Sequence, residues 1–210
     1  GAQVYNASRT NSEDWPESLI HIPIDVLSNF DSLAEQLPEN LHGLVYAVGS
    51  INLKPFSRFT EDDFINDYKL NVIGAARTIQ TAYKSLRKAG ASSIVLLSSV
   101  AAKTGMPYHA SIAAAKGGVE SLALSLAAEF ASQNIRVNVV APSLTDTPLA
   151  ANLLNTPEKR EASAKRHPLG RIGKPEDIAS AISFLLSDAS GWISGQVIGI
   201  DGGMGNLKTM

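Results

Sequence analysis

Four side chains in the middle of the sequence set the chemistry this chain could perform. Ser98-Ser99 closes the apolar run Ser93-Ile94-Val95-Leu96-Leu97. A hydroxyl at Ser99 can donate a hydrogen bond to a ligand oxygen. Lys116 stands in Ser111-Ile112-Ala113-Ala114-Ala115-Lys116-Gly117-Gly118. A lysine in so apolar a stretch is seldom accidental, because burying an ammonium is costly. Asn71, in Leu70-Asn71-Val72-Ile73-Gly74, lies inside a long helical pattern. One helical turn before Lys116 is Ile112. It is apolar and β-branched, with no proton to give. Tyr108 and His109, which carry protons, lie just upstream, in the loop that enters the helix.

The elements that must position these groups follow from periodicity. Strand patterns are expected at 3–8, 19–24, 43–48, 93–98, 135–140 and 196–201, and helices at 31–36, 62–88, 110–131 and 175–187. Pro23 puts the second strand at a sheet edge, and Pro175 opens the last helix at its first turn. The 62–88 pattern reads as one helix that stops at Gly90. Strands separated by helices give a doubly wound, parallel α/β sheet. In such sheets ligands bind beyond the carboxyl ends of the strands. Ser8, Gly49, Ser99 and Pro142 lie there and are expected to face one crevice.

Composition narrows the partners. The 210 residues fit one domain, and 44% hydrophobic with 18% charged residues allows a sizeable core. A net charge of −2 gives no broad attraction to nucleic acid or an anionic membrane. There are no cysteines, which excludes disulfides, cysteine-ligated zinc and thiol catalysis, and suits a reducing compartment. His21, His42, His109 and His167 show no metal-ligand spacing, so no metal is expected. No apolar run reaches the roughly 18 residues of a membrane span. The expectation is a cytoplasmic protein acting on a small molecule.

The order and spacing of these motifs resemble the short-chain dehydrogenase/reductase family across nearly the whole chain. The resemblance implies a Rossmann-like fold, a nicotinamide dinucleotide cofactor and hydride transfer to or from a carbonyl or alcohol substrate. Ser99 matches the family's catalytic serine, and Asn71 matches the helix asparagine that kinks the helix and ties the lysine into a proton relay. Lys116 matches the lysine that binds the nicotinamide ribose. Tyr46-Ala47-Val48-Gly49 stands where the family has Asn-Asn-Ala-Gly, with only Gly49 retained. Asp25-Val26 matches the adenine-binding position, and Pro142, Thr145 and Thr147 match the stretch that contacts the nicotinamide half, with Ser143 in place of a glycine. Ser8 is neutral where NAD-selecting members carry an acid, and Arg9 follows it, which points to NADP(H) over NAD(H) through bidentate binding of a 2′-phosphate. Gly170-Arg171-Ile172-Gly173-Lys174-Pro175-Glu176-Asp177 and Ile200-Asp201-Gly202-Gly203 match the C-terminal signature, whose last strand pairs subunits in the family. A homo-oligomer, dimer or tetramer, is therefore expected, with the helix at 110–131 as its other pairing surface. Residues 149–167 correspond to the family's substrate lid.

Two departures bear on function. The family's glycine-rich phosphate loop has no counterpart at any strand-to-helix junction here, and Gly1-Ala2-Gln3-Val4 reads as a helix end running into a strand. The expectation is an N-terminally incomplete fold, its first βα unit of roughly 25–35 residues lying upstream. Its central strand would leave a slot lined by unpaired N–H and C=O groups. The second departure is Ile112, which stands where the family has its tyrosine acid. Three readings follow: an NADP(H)-dependent oxidoreductase with a replacement donor; a dinucleotide-binding sensor or partner protein without redox activity; or hydride chemistry that needs no tyrosine.

Overall fold

The most apolar runs of the chain build its main sheet. The computed structural model describes residues 1–28 and 30–208. In it β4 (Ser92–Leu97) lies between β3 (Gly43–Tyr46) and β5 (Ile135–Pro142), and β6 (Val197–Ile200) completes the parallel order β3-β4-β5-β6. Successive β4 side chains point to opposite faces. Ile94 and Leu96 pack with Ile79 and Leu86 of α3 (Gly74–Lys88) and with Val119 and Ala123 of α4 (Ala110–Phe130). Val95 turns the other way and, with Val140 of β5, meets Ile178 and Leu185 of α6 (Pro175–Leu186). Helices cover both faces, which is why β4 shows no polar alternation. Of its two buried serines, Ser93 donates its hydroxyl to Leu185 O at 2.8 Å, and Ser92 Oγ has no partner among the described residues.

β1 (Tyr5–Ser8) and β2 (Ile20–Pro23) form a second, two-stranded parallel sheet. It has its own small core of Ile22, Ile24, Phe30 and Leu33, closed by α1 (Asp31–Gln36). Val26 and Leu37 touch both cores. The single continuous rim expected from the sequence is therefore broken: among the described residues β1 pairs with β2 alone, and the parallel sheet is in two pieces.

The stretch at 62–88 is not one helix. α2 (Glu61–Tyr68) passes into a five-residue π-helical segment, Lys69–Ile73, before α3 begins. The hydrogen bonds give the reason. Asn71 Nδ2 donates to Asp67 O at 2.8 Å, taking the acceptor its own backbone would use in an α-helix. The Gly74 N–H reaches back five residues to Lys69 O. That frees Leu70 O, which accepts from the Tyr46 hydroxyl at 2.6 Å. Burial pushes the Tyr46 phenol above its ordinary range, keeping it a neutral donor. Gly74 makes room for this contact, since a Cβ there would stand 2.2 Å from the Tyr46 hydroxyl oxygen.

Other boundaries move by one to three residues, as helix and strand ends do. The first strand starts at Tyr5, the third ends at Tyr46, β5 runs on to Pro142, and the helices end at Phe130 and Leu186. The 149–167 stretch contains a further short helix, α5 (Pro157–Ala164). No helix among the described residues is long and apolar enough to cross a membrane.

Gly74→Ala is expected to cost about 1–3 kcal/mol, the usual range for forcing a methyl into a packed interior. Urea denaturation reads it. In the Tyr46→Phe background the same substitution should cost less, because the clashing atom is gone. Equal costs in both backgrounds would show that the Tyr46 hydroxyl does not set the constraint.

Candidate active site

Gly49, Ser99, Lys116, Pro142, Thr145 and Thr147 line one cavity of about 820 Å³ at the carboxyl ends of β3, β4 and β5. Ile112 lines it as well. Lys116 is 7% exposed. Its Nζ donates to Leu97 O at 2.8 Å. Burial lowers its pKa to about 8, while the negative charge of Asp67 works to raise it.

Asp67, itself buried, is held from two sides: Ser50 Oγ donates to Oδ1 at 2.7 Å and Ser111 Oγ to Oδ2 at 2.6 Å. Sequence reasoning missed this carboxylate. In α2 it reads as one of several acidic residues on an exposed helix, and no local pattern marks it. Asn71 lies just behind the cavity wall. Its Oδ1 is buried and has no hydrogen-bond partner among the described residues. A Cβ placed on Gly49 would lie 3.4 Å from Lys116 Nζ and 3.5 Å from Asn71 Oδ1. The bare glycine thus leaves a polar niche walled by an ammonium and an unsatisfied amide oxygen. An ammonium that donates and an amide oxygen that accepts both suit hydroxyls.

Ser98 and Ser99 diverge as strand alternation requires. Ser98 Oγ turns to α4 and donates to Glu120 Oε1 at 2.8 Å. Ser99 faces the cavity, where its Oγ accepts from Ala101 N at 3.2 Å. Its hydroxyl proton remains available to a ligand.

A second pair was not foreseen. Ser143 Oγ and His167 Nε2 are 2.8 Å apart, and both residues line the cavity. His167 is 3% exposed, and its Nδ1 lies 2.8 Å from Ser163 O. A carbonyl only accepts, so Nδ1 carries a proton toward Ser163 O, and in that tautomer Nε2 is the acceptor for the Ser143 hydroxyl. In the sequence Ser143 reads only as a replaced turn glycine, and His167 as one of four scattered histidines. Their pairing depends on the fold of residues 149–167 over the end of β5.

Other expectations fare differently. Tyr108 has a positive φ of 70°, is 58% exposed and is absent from the cavity lining, whereas His109 lines it. Ser8 does not share the cavity, contrary to the single crevice expected, because β1 belongs to the separate sheet. Its Oγ bonds Thr10 O at 2.9 Å and His21 Nε2 at 3.1 Å. Arg9 is exposed and makes no ion pair among the described residues. Asp25 and Val26 also lie off the cavity lining; Asp25 Oδ1 accepts from Leu27 N at 2.9 Å, and Val26 packs between the two cores.

Comparison with known proteins agrees with this fold. The sequence model of the family described as Enoyl-(Acyl carrier protein) reductase matches residues 20–205. A tropinone reductase homolog of Arabidopsis thaliana is 32% identical over 97% of this chain and 84% of its own length. Among solved structures, a short chain dehydrogenase family protein of Francisella tularensis superposes with a TM-score of 0.89 at 26% identity, covering 98% of this chain and 88% of the other. A gluconate 5-dehydrogenase of Burkholderia cenocepacia, in complex with NADP and tartrate, superposes with a TM-score of 0.83 at 26% identity over 91% and 77% of the two chains.

The buried ammonium has a pH signature. Between about pH 8 and the ordinary lysine value of 10.5, the unfolded chain still holds a proton that folded Lys116 has released. Stability contributed by this group therefore rises with pH across that window. Lys116→Met removes the rise. Unfolding curves at pH 7, 8, 9 and 10 should show wild type gaining on the variant, and a constant difference would mean that Lys116 is not depressed.

Proposed function

This chain belongs to the short-chain dehydrogenase/reductase family, and from that premise we propose that it is an NADP(H)-dependent oxidoreductase of small carbonyl or alcohol substrates whose proton transfer has moved away from position 112. The observation that supports this most is the cavity that brings Gly49, Ser99 and Lys116 together, with Asn71 Oδ1 buried behind Gly49. A bound nicotinamide supplies or accepts the hydride. Lys116 would hold its ribose with Asn71 positioned behind it, Thr145 and Thr147 would hold the rest of that half, and Ser99 would hydrogen-bond the substrate oxygen.

Ile112 gives the substrate an apolar wall and no proton. The Ser143–His167 pair takes over that task. In alcohol oxidation Ser143 Oγ accepts the substrate hydroxyl proton while its own passes to His167 Nε2, whose ring Ser163 O orients. Carbonyl reduction runs the same transfers backwards. This is the arrangement of an activated hydroxyl: an oxygen within reach of a base, and the base held by a third group.

Arg9, unpaired and next to neutral Ser8, favours a 2′-phosphate and hence NADP(H) over NAD(H). Asp25 and Val26 take the adenine end. The chain works as a single domain with residues 149–167 as its substrate lid, in the cytoplasm, and as a homo-oligomer that pairs through α4 and the edge strand β6.

The test is turnover of a panel of aldehydes and ketones with NADPH and with NADH. Wild type is expected to prefer NADPH, and Arg9→Asp to lose that preference. Ser143→Ala should lower kcat by about 10²–10⁴, the usual contribution of a positioned acid or base. Ile112→Tyr in the Ser143→Ala background should restore turnover. Unchanged turnover in Ser143→Ala would remove the pair from the mechanism. Dinucleotide binding without turnover in wild type and Ile112→Tyr alike would favour a nucleotide-binding sensor or partner protein, the reading that the inert side chain at position 112 supports.

A further inference from the structure

The cavity carries charge of one sign. Lys116, Lys159 and Arg166 line it, and no Asp or Glu does so among the described residues. Lys159 and Arg166 come from α5 and the turn after it, together with Ala162 and Ser163. Positions 159, 162, 163 and 166 share one helical face. The cations on the rest of this segment are neutralised: Arg160 pairs with Asp146 at 2.7 Å and Lys165 with Glu161 at 2.7 Å. The two that face the cavity are not. Lys159 Nζ is steered by Asn155 Oδ1 at 2.8 Å and Asn152 O at 3.3 Å, and an Arg166 guanidinium nitrogen by Ser163 Oγ at 3.1 Å. Neither has an ion-pair partner among the described residues. Neutral acceptors thus fix both side chains without cancelling their charge, as a preorganised anion site requires.

Leu149, Leu153, Ile178, Ile182 and Met204 give the same cavity apolar walls. A ligand that fills it therefore meets apolar surface as well as the two cations.

We infer that residues 149–167 act as an anion clamp that selects a substrate with an apolar body and a terminal carboxylate or phosphate, held by Lys159 and Arg166. The inference rests on the proposed function only in taking the cavity as the substrate site. The phosphates of a dinucleotide share this chemistry, and the test separates the two sources.

Calorimetric titration of the full chain with 7-oxooctanoate, whose ketone and carboxylate stand at opposite ends of an apolar chain, with its methyl ester and with NADP⁺ provides that test, comparing wild type with Lys159→Gln/Arg166→Gln. Both substituted side chains are exposed, and circular dichroism checks that the variant folds. The acid is expected to bind wild type at least tenfold more tightly than the ester. That preference should disappear in the double variant and weaken with added salt, while NADP⁺ affinity stays unchanged. Equal binding of acid and ester by wild type, or no binding of either, overturns the clamp. Loss of NADP⁺ affinity in the variant with the acid preference intact assigns the two cations to the dinucleotide and also overturns it. Because the readout is binding, a protein that prefers the acid but never turns over NADPH would keep the clamp and sink only the redox reading.

Discussion

Burying one ammonium group organises this molecule. Lys116 lies among the mostly apolar buried residues of α4, between Ile112, Ala115 and Val119 in sequence, and its charge would be prohibitive there without partners. Leu97 O supplies one from the end of β4, and the Asp67 carboxylate supplies the opposing charge. Asp67 is in turn fixed by a hydroxyl from the loop after β3 and another from the first turn of α4. The lysine, the carboxylate and two serines thereby couple β3, β4, α2 and α4 at a single point. That point lies at the carboxyl ends of the strands, where an α/β sheet offers its binding crevice.

The π-helical segment is the second half of the same device. Carrying α2 straight into α3 would leave the Asn71 amide to an ordinary helix surface. The widened turn instead commits Nδ2 to Asp67 O and leaves Oδ1 aimed at the bare Gly49, beside Lys116 Nζ. The cost of breaking α-helical hydrogen bonding is offset by Tyr46, whose hydroxyl takes the carbonyl that Gly74 no longer reaches. Such π-turns are frequent at functional sites. Here the π-helical segment carries Asn71 to the back of Gly49, so a change at Tyr46 or Gly74 would reach the cavity wall indirectly.

Much of this was legible in the sequence, and the illegible part has a common cause. Strand and helix order follows from periodicity, while Gly49, Asn71, Ser99 and Lys116 are legible through the family motifs that they match. The resemblance implies a kink at Asn71, but periodicity alone reads 62–88 as one helix, because the π-helical segment at Lys69–Ile73 is set by hydrogen bonds of the Asn71 amide and the Tyr46 hydroxyl and not by apolar spacing. Asp67 and the Ser143–His167 pair were missed for a similar reason. Each belongs to a local pattern that looks ordinary, an acidic helix and a replaced turn glycine, and gains meaning only from partners that the fold brings to it. The expected position of Ser8 on the shared cavity failed because strand order alone does not fix whether neighbouring strands pair.

The central claim is that the Gly49 niche holds the nicotinamide ribose, with the substrate oxygen directed at Ser99 and Ser143. A crystal structure of the protein soaked with NADP⁺ tests it most directly. The account predicts ribose hydroxyls within hydrogen-bond distance of Lys116 Nζ, the Asn71 amide ordered behind Gly49, and the carboxamide beside Thr145 and Thr147. Density for the nicotinamide half away from this niche, with Lys116 bonded to Leu97 O alone, would contradict it.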